Sequence, residues 1–256
     1  MAKIYAIANH KGGVGKTTTA ISLAAVFSEM GRTTLLVDLD PQGGLLRSLG
    51  REPEALTATT YQVMLGQLSI REAVIETKLP KVDLVPANLD LAAVESELIG
   101  EIGWDRTMKD ALAPVASRYD KILLDCPPSL GVLTTNALIA ADTVIVPLQC
   151  EYLSMQGFSQ LNKRIEKVRL KGNATLDLRI LRTMYDARTI HAREVSDEIL
   201  ATFGSRVFSP IIKRTVRFAE ATVAGLPIVM YQKDSDVADA YRKLGEEICS
   251  HETANN

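Results

Sequence analysis

A chain of 256 residues, 46% hydrophobic and 23% charged, has the composition of an ordinary globular protein and the length of one large α/β domain, here 1–256. That excludes a disordered, collagen-like or coiled-coil protein. The three scattered cysteines, with no C-x-x-C spacing, argue against a disulfide framework or a zinc site. The net charge of −2 conceals an asymmetry: residues 160–217 hold thirteen Lys/Arg against six acids, so that stretch is +7 and the remainder −9. A basic segment on a near-neutral protein hints at a polyanionic partner. No signal-peptide pattern and no apolar run near the roughly 20 residues of a membrane span is present, so a soluble, cytoplasmic protein without a membrane partner is expected.

Along the chain, short β-rich runs alternate with helical patterns. Strands are expected at 3–8, 33–37, 82–85, 121–124, 143–146, 178–183 and 206–208. Helices are expected at 16–30, 89–99, 104–117, 131–140, 153–170, 191–203, 216–224 and 236–251. Runs such as ILL (122–124) and TVIV (143–146) are apolar at consecutive positions, as when helices cover both faces of a parallel sheet. The fold class is therefore α/β, three-layered, with a mostly parallel central sheet. Residues 41–80, which include Pro53 and several glycines, read as loops around short helices. The polar end, 250–256, reads as a frayed tail.

Directly after the first strand comes N-H-K-G-G-V-G-K-T-T-T (9–19), leading into a helical pattern. Glycines let backbone N–H groups converge on an anion, and the helix N-terminus adds partial positive charge. In such a loop Gly12, Gly13, Val14, Gly15 and Thr18 wrap the phosphates, Lys16 reaches the β/γ-phosphates and Thr17 ligates Mg²⁺. The bland alternative is a glycine-rich turn without a ligand. Carboxylates follow two later strands: Asp38 and Asp40 in LLVDLDPQG, and Asp125 in KILLDCPPSLG. Carboxylates leaving the ends of parallel strands face the crevice where ligands bind. Asp125 fits the Walker B position that holds the Mg²⁺ shell, and Asp38 either supports that shell or the loop. Asp40 has a turn-capping alternative before Pro41.

The loop departs from G-x-x-x-x-G-K-[ST] by carrying His10 and then a second lysine, Lys11. This variant resembles the deviant Walker A box of the ParA/MinD class of P-loop ATPases, and the resemblance runs from Ile4 to about Ile248. It implies Mg²⁺-dependent ATP hydrolysis in a nucleotide-sandwich homodimer. Lys11 would reach the partner's phosphates, unless it is merely a solvated loop lysine. Lys16 would bind the subunit's own phosphates, and Asp40 would orient the attacking water and, with Thr17 and Asp125, hold the metal. Pro127 would belong to the second switch, and Met184 and Pro210 would line the adenine.

The segment SPIIKRTVRFAEA (209–221) is similar to the stretch that contacts the DNA backbone in partition ATPases of the ParA/Soj branch. Lys213, Arg214 and Arg217 have little compensating acid nearby in sequence, and Arg188, Arg193, Arg242 and Lys243 could widen the patch. A solvated basic face is the alternative. That branch implies sequence-nonspecific binding to double-stranded DNA, nucleoid association, chromosome or plasmid partition, and a ParB-type centromere-binding partner that stimulates hydrolysis. A Min-type membrane ATPase would need a basic amphipathic C-terminal helix, whereas this chain ends in GEEICSHET. An iron–sulfur relative would need a second interface cysteine besides Cys126. An ATPase that positions a protein cargo shares every nucleotide motif, and the basic segment alone argues against it.

Overall fold

The computed structural model describes residues 2–52 and 56–254. Its strands are β1 (Lys3–Ile7), β2 (Thr34–Asp38), β3 (Ile75–Glu76), β4 (Val82–Val85), β5 (Lys121–Asp125), β6 (Thr143–Gln149), β7 (Asp177–Tyr185) and β8 (Val207–Lys213). They form one sheet in the order β3-β4-β2-β5-β1-β6-β7-β8. Every pairing is parallel except β3 on β4. The α-helices among the described residues are α1 (Lys16–Glu29), α2 (Gly44–Ser48), α3 (Thr60–Met64), α4 (Ile70–Ala73), α5 (Val94–Leu98), α6 (Thr107–Leu112), α7 (Val132–Ala140), α8 (Tyr152–Lys171), α9 (Ile190–Phe203), α10 (Arg217–Val223), α11 (Ile228–Tyr231) and α12 (Asp236–Ala254).

The consecutive apolar runs arise because each central strand serves two cores. Leu35 and Val37 on β2, Ile122 and Leu124 on β5, and Val144 and Val146 on β6 all face one core. Leu36, Leu123 and Ile145 face the other. The first core takes residues of α3 to α9, the second those of α1, α2, α11 and α12. Helix α1 is buried along most of its length, and α12 lies against it so closely that a Cβ at Gly245 would come 2.5 Å from Val26 Cγ1.

Several elements depart from the sequence-based expectation. Strand β3 is only two residues long, too short to show a period. The expected helix 89–99 divides into a 3₁₀ turn (Leu89–Ala93) and α5. The expected helix 104–117 stops at Leu112, shortly before Pro114, which has no N–H to donate. Strand β8 extends through Pro210 to Lys213, and a proline is tolerated there because β8 is an edge of the sheet.

The expected frayed tail is instead helical as far as Ala254. Its order comes from Glu252, whose carboxylate accepts hydrogen bonds from Tyr5 Oη and Lys121 Nζ. Lys121 is only 3% exposed and its ammonium lies over the rings of Tyr5 and Phe27. A buried cation without its carboxylate is strongly unfavourable, so this pair tethers the last turn of α12 beneath the sheet. Pro53, 255 and 256 lie outside the described residues. Glu252→Ala is expected to lower unfolding free energy by about 3 kcal/mol in urea denaturation. A Glu252→Ala/Lys121→Met double variant should recover part of that loss.

Candidate functional site

The loop between β1 and α1 takes its shape from two left-handed glycines, Gly13 (φ 72°) and Gly15 (φ 93°). Ordinary side chains resist that conformation. Gly15 is also the N-cap of α1, where no side chain caps the helix and no acid occupies the first turn. The first amides of α1 are thus left with the positive end of the helix dipole. A Cβ added at Gly12, Gly13 or Gly15 would meet nothing within 4 Å, so the loop encloses an open cradle.

Neighbouring strand ends pin this loop. Asn9 Nδ2 donates to Pro147 O (2.7 Å), and Asn9 Oδ1 accepts from Lys11 N (3.1 Å). Gln149 Nε2 donates to Gly13 O (3.3 Å), and Thr183 Oγ1 to Val14 O (3.0 Å). Asn9 adjoins the motif and could have been singled out from it. Gln149 ends β6 and Thr183 lies beside it near the end of β7, and only the parallel register brings them under the loop.

Lys16, 7% exposed, donates its Nζ to Lys11 O at 3.2 Å. Burial pulls its pKa down, while the nearby Asp125 carboxylate opposes that shift. Asp125 ends β5 in register with Ile7 and Asp38, fully buried. Neither of its carboxyl oxygens has a hydrogen-bond partner of normal geometry. Burial raises its pKa to about 7; the Thr17 hydroxyl and Lys16 temper the rise, and Asp40 adds to it. Orphaned oxygens beside a threonine hydroxyl and an open anion cradle are the donor set a hard divalent cation with bound phosphate would complete. The residues present therefore fit Mg²⁺ with a nucleotide.

Asp38 supports the loop that follows β2. Its Oδ1 accepts from Asp40 N and its Oδ2 from Leu45 N, both at 3.0 Å. Burial and then Asp125 push its pKa upward. Asp40 is half-buried and makes the turn cap as well, accepting from Gln42 N at 3.0 Å. The 38–45 loop also touches the phosphate loop, since a Cβ at Gly44 would lie 3.2 Å from Thr17 Cγ2. Pro127 is buried one residue past Cys126, whose thiol is pushed up by burial.

Lys11 does not extend freely from the loop. Its Nζ donates to Gln149 Oε1 at 2.7 Å and lies 3.3 Å from Glu151 Oε2. Met184 sits in a left-handed conformation (φ 53°) where the β7–β8 register shifts. It lines a narrow cleft beside the loop with Val14, Gly15, Thr18, Phe218 and Tyr241. Pro210 lies on β8, two residues before Ile212, and it is Ile212 that lines this cleft.

The basic segment is better compensated than its sequence neighbourhood implies. Lys213 pairs with Asp236 (2.8 Å), Arg217 with Glu220 (2.7 Å), and Arg188 with Asp186 through two nitrogens at 2.9 and 2.7 Å. Arg242 is held by Glu29 and Asp239. Arg182 is buried, donating to Ser196 Oγ and the carbonyls of Phe208 and Ser209. Asp236 and Glu29 are remote in sequence, so a window count of charge could not include them. Arg214 is exposed and makes no ion pair among the described residues.

A family model described as an AAA domain matches residues 2–178. The chain is 44% identical over 252 residues to the chromosome partitioning protein ParA of Myxococcus xanthus, covering 98% of this chain and 89% of that one. It is 40% identical to the sporulation initiation inhibitor protein Soj of Bacillus subtilis, covering 98% of this chain and all of that one. Among solved structures, a Mycobacterium smegmatis protein named cobyrinic acid a,c-diamide synthase, with bound ADP and magnesium, superposes with a TM-score of 0.89. It is 40% identical, over all of this chain and 97% of that one. A phosphate loop with two lysines, a sheet that gathers three aspartates around it, and identity at this level over nearly the full length agree: the chain belongs to the ParA/Soj family of P-loop chromosome partitioning proteins.

Proposed function

We propose that this protein is a Mg²⁺-dependent ATPase that binds double-stranded DNA without sequence preference when ATP closes a homodimer. A ParB-type partner would stimulate hydrolysis and release the dimer from the nucleoid. The observation that carries the ATPase reading is Asp125, buried without a hydrogen-bond partner at the mouth of an open glycine cradle. The family supports the partition reading, as does the exposed basic surface around Arg214.

In this scheme the residues work by position and charge. Backbone amides of Gly12 to Thr18 and the Lys16 ammonium hold the β/γ-phosphates. Thr17 and Asp125 would hold Mg²⁺, which when bound neutralises phosphate charge. Asp40, at the turn that follows β2, orients the attacking water. Lys11 of each subunit faces the partner's phosphates. Met184, with Ile212 one strand over, borders the base.

Lys16→Ala is expected to lose nucleotide binding in an equilibrium titration with a fluorescent ATP analogue. Asp40→Ala should bind ATP with near wild-type affinity yet turn over at least tenfold more slowly, accumulating as a dimer in sedimentation. A monomeric, ATP-loaded Asp40→Ala protein would contradict that role.

Asp125 also predicts a pH dependence of the ligand-free protein. Its folded pKa is about 7 against an ordinary value of 3.8, so the folded state retains a proton that the unfolded chain has released. Stability therefore falls as pH rises from about 4 to about 7 and levels off above. Asp125→Asn removes this cost, so its thermal midpoint should exceed that of wild type by a margin that widens between pH 5 and 7. Loss of Mg²⁺-dependent ATP turnover should accompany the gain.

Binding to a random-sequence duplex, measured without nucleotide, with ADP and with a slowly hydrolysed ATP analogue across a salt series, tests the DNA reading. Binding confined to the analogue, with a steep negative log–log salt slope, is expected. Arg214→Ala and Arg217→Glu should both weaken it, and Arg214→Ala should reduce the slope by about 0.9 per contact removed. Turnover without DNA binding in any nucleotide state would favour an ATPase that positions a protein cargo.

A further inference from the structure

The corner where β6 passes into α8 grips the phosphate loop at several points. Asn9 Nδ2 reaches Pro147 O. The Gln149 amide accepts from Lys11 Nζ through Oε1 and donates to Gly13 O through Nε2. Glu151 pairs with Lys11 at 3.3 Å. A Cβ on Gly157 would lie 2.4 Å from His10 Cε1, so α8 rests directly on the loop residue before Lys11. Each ordinary alternative for Lys11 fails to describe this: it is neither extended into solvent nor directed at its own loop's cradle. Its ammonium is held sideways, against the strand end of its own subunit.

We infer that Gln149 and Glu151 form an autoinhibitory restraint that holds Lys11 within its own subunit and sets the protein concentration at which ATP can close the dimer. The inference rests on the proposed role of Lys11 toward the partner's phosphates. A lysine ammonium held by Gln149 and Glu151 together does not also reach across to a second subunit, because its own strand end and the partner compete for one group. Release of Lys11 is therefore part of the work of dimerisation, and it must occur twice per dimer.

The two restraining groups differ in kind. Glu151 and Lys11 are half-exposed (side chains 49% and 37%), so their attraction is weak and screened. Gln149 is 9% exposed and bonded at both ends of its amide, so it fixes the direction of Lys11 and the height of Gly13 together. Removing the Gln149 amide would loosen the loop as well as the lysine. Neutralising Glu151 leaves the Gly13 contact in place, which makes it the cleaner probe. A half-exposed ion pair changes an equilibrium by a factor of about 1.4 to 5. Two released lysines then tighten the dimer by roughly two- to thirtyfold.

Sedimentation equilibrium with a slowly hydrolysed ATP analogue and Mg²⁺ tests this on wild type, Glu151→Gln, Lys11→Ala and the double variant. Glu151→Gln should dimerise at a lower concentration than wild type, while the affinity of the dilute monomer for the analogue stays unchanged. In the Lys11→Ala background Glu151→Gln should have no effect, because no lysine remains to be released. If Lys11→Ala weakens the dimer but Glu151→Gln matches wild type, the restraint is overturned and the proposed function stands. The same holds if Glu151→Gln tightens the dimer equally with and without Lys11. If Lys11→Ala dimerises as wild type does, the role of Lys11 between subunits fails and the restraint fails with it.

Discussion

Everything near the site depends on a carboxylate that has been taken out of water with only partial compensation. Asp125 is fully buried, and no hydrogen bond satisfies either oxygen. Leaving it so costs the ligand-free protein stability, since desolvation disfavours the charged form. The cost is offset only in part by Lys16 and Thr17. Both of these are held in place by the glycines that shape the cradle. A cation with a phosphate at that point would complete the coordination of Asp125.

The parallel sheet makes that arrangement possible. β1, β2 and β5 are neighbours in register, so Ile7, Asp38 and Asp125 end at one level and the phosphate loop sits above them. β6 and β7 continue two to three residues beyond the expected strand ends, and the extension brings Gln149 and Met184 to the loop. Asp38 could have competed with Asp125 for a cation, but its oxygens are occupied in turning the chain toward α2. Two buried carboxylates side by side thus have separate work: one shapes a loop and one is left open.

The surface proposed to meet DNA has a different character. Most of its cations are paired with carboxylates on the same subunit. Such exposed pairs are weak, and a phosphate backbone competes for them readily. The patch is therefore a set of exchangeable partners more than a bare positive field, and Arg214 is among the cations that need no partner to leave. Lys11 follows the same logic at the loop, where its present partners are ones it can exchange.

The phosphate loop, Asp40, Asp125 and the alternation of strand and helix were legible in the sequence because each is encoded locally. Glycine spacing, a carboxylate after an apolar run and an uninterrupted apolar strand depend on residues a few positions apart. Contacts between residues distant in sequence were not legible. Glu252 reads as part of a polar tail until Lys121, 131 residues earlier, is found buried beneath it. Gln149 and Thr183 carry no motif and act only because parallel pairing sets them under Gly13 and Val14. The same holds for the charge balance around Lys213 at the end of β8, which Asp236 supplies from α12. The sequence by itself determined the chemistry of the loop and its carboxylates, since backbone conformation and side-chain type are local properties. Only the tertiary structure decided which carboxylate stays unsatisfied, what holds Lys11 and how the basic surface is neutralised, because burial and pairing depend on parts of the chain that the fold alone brings together.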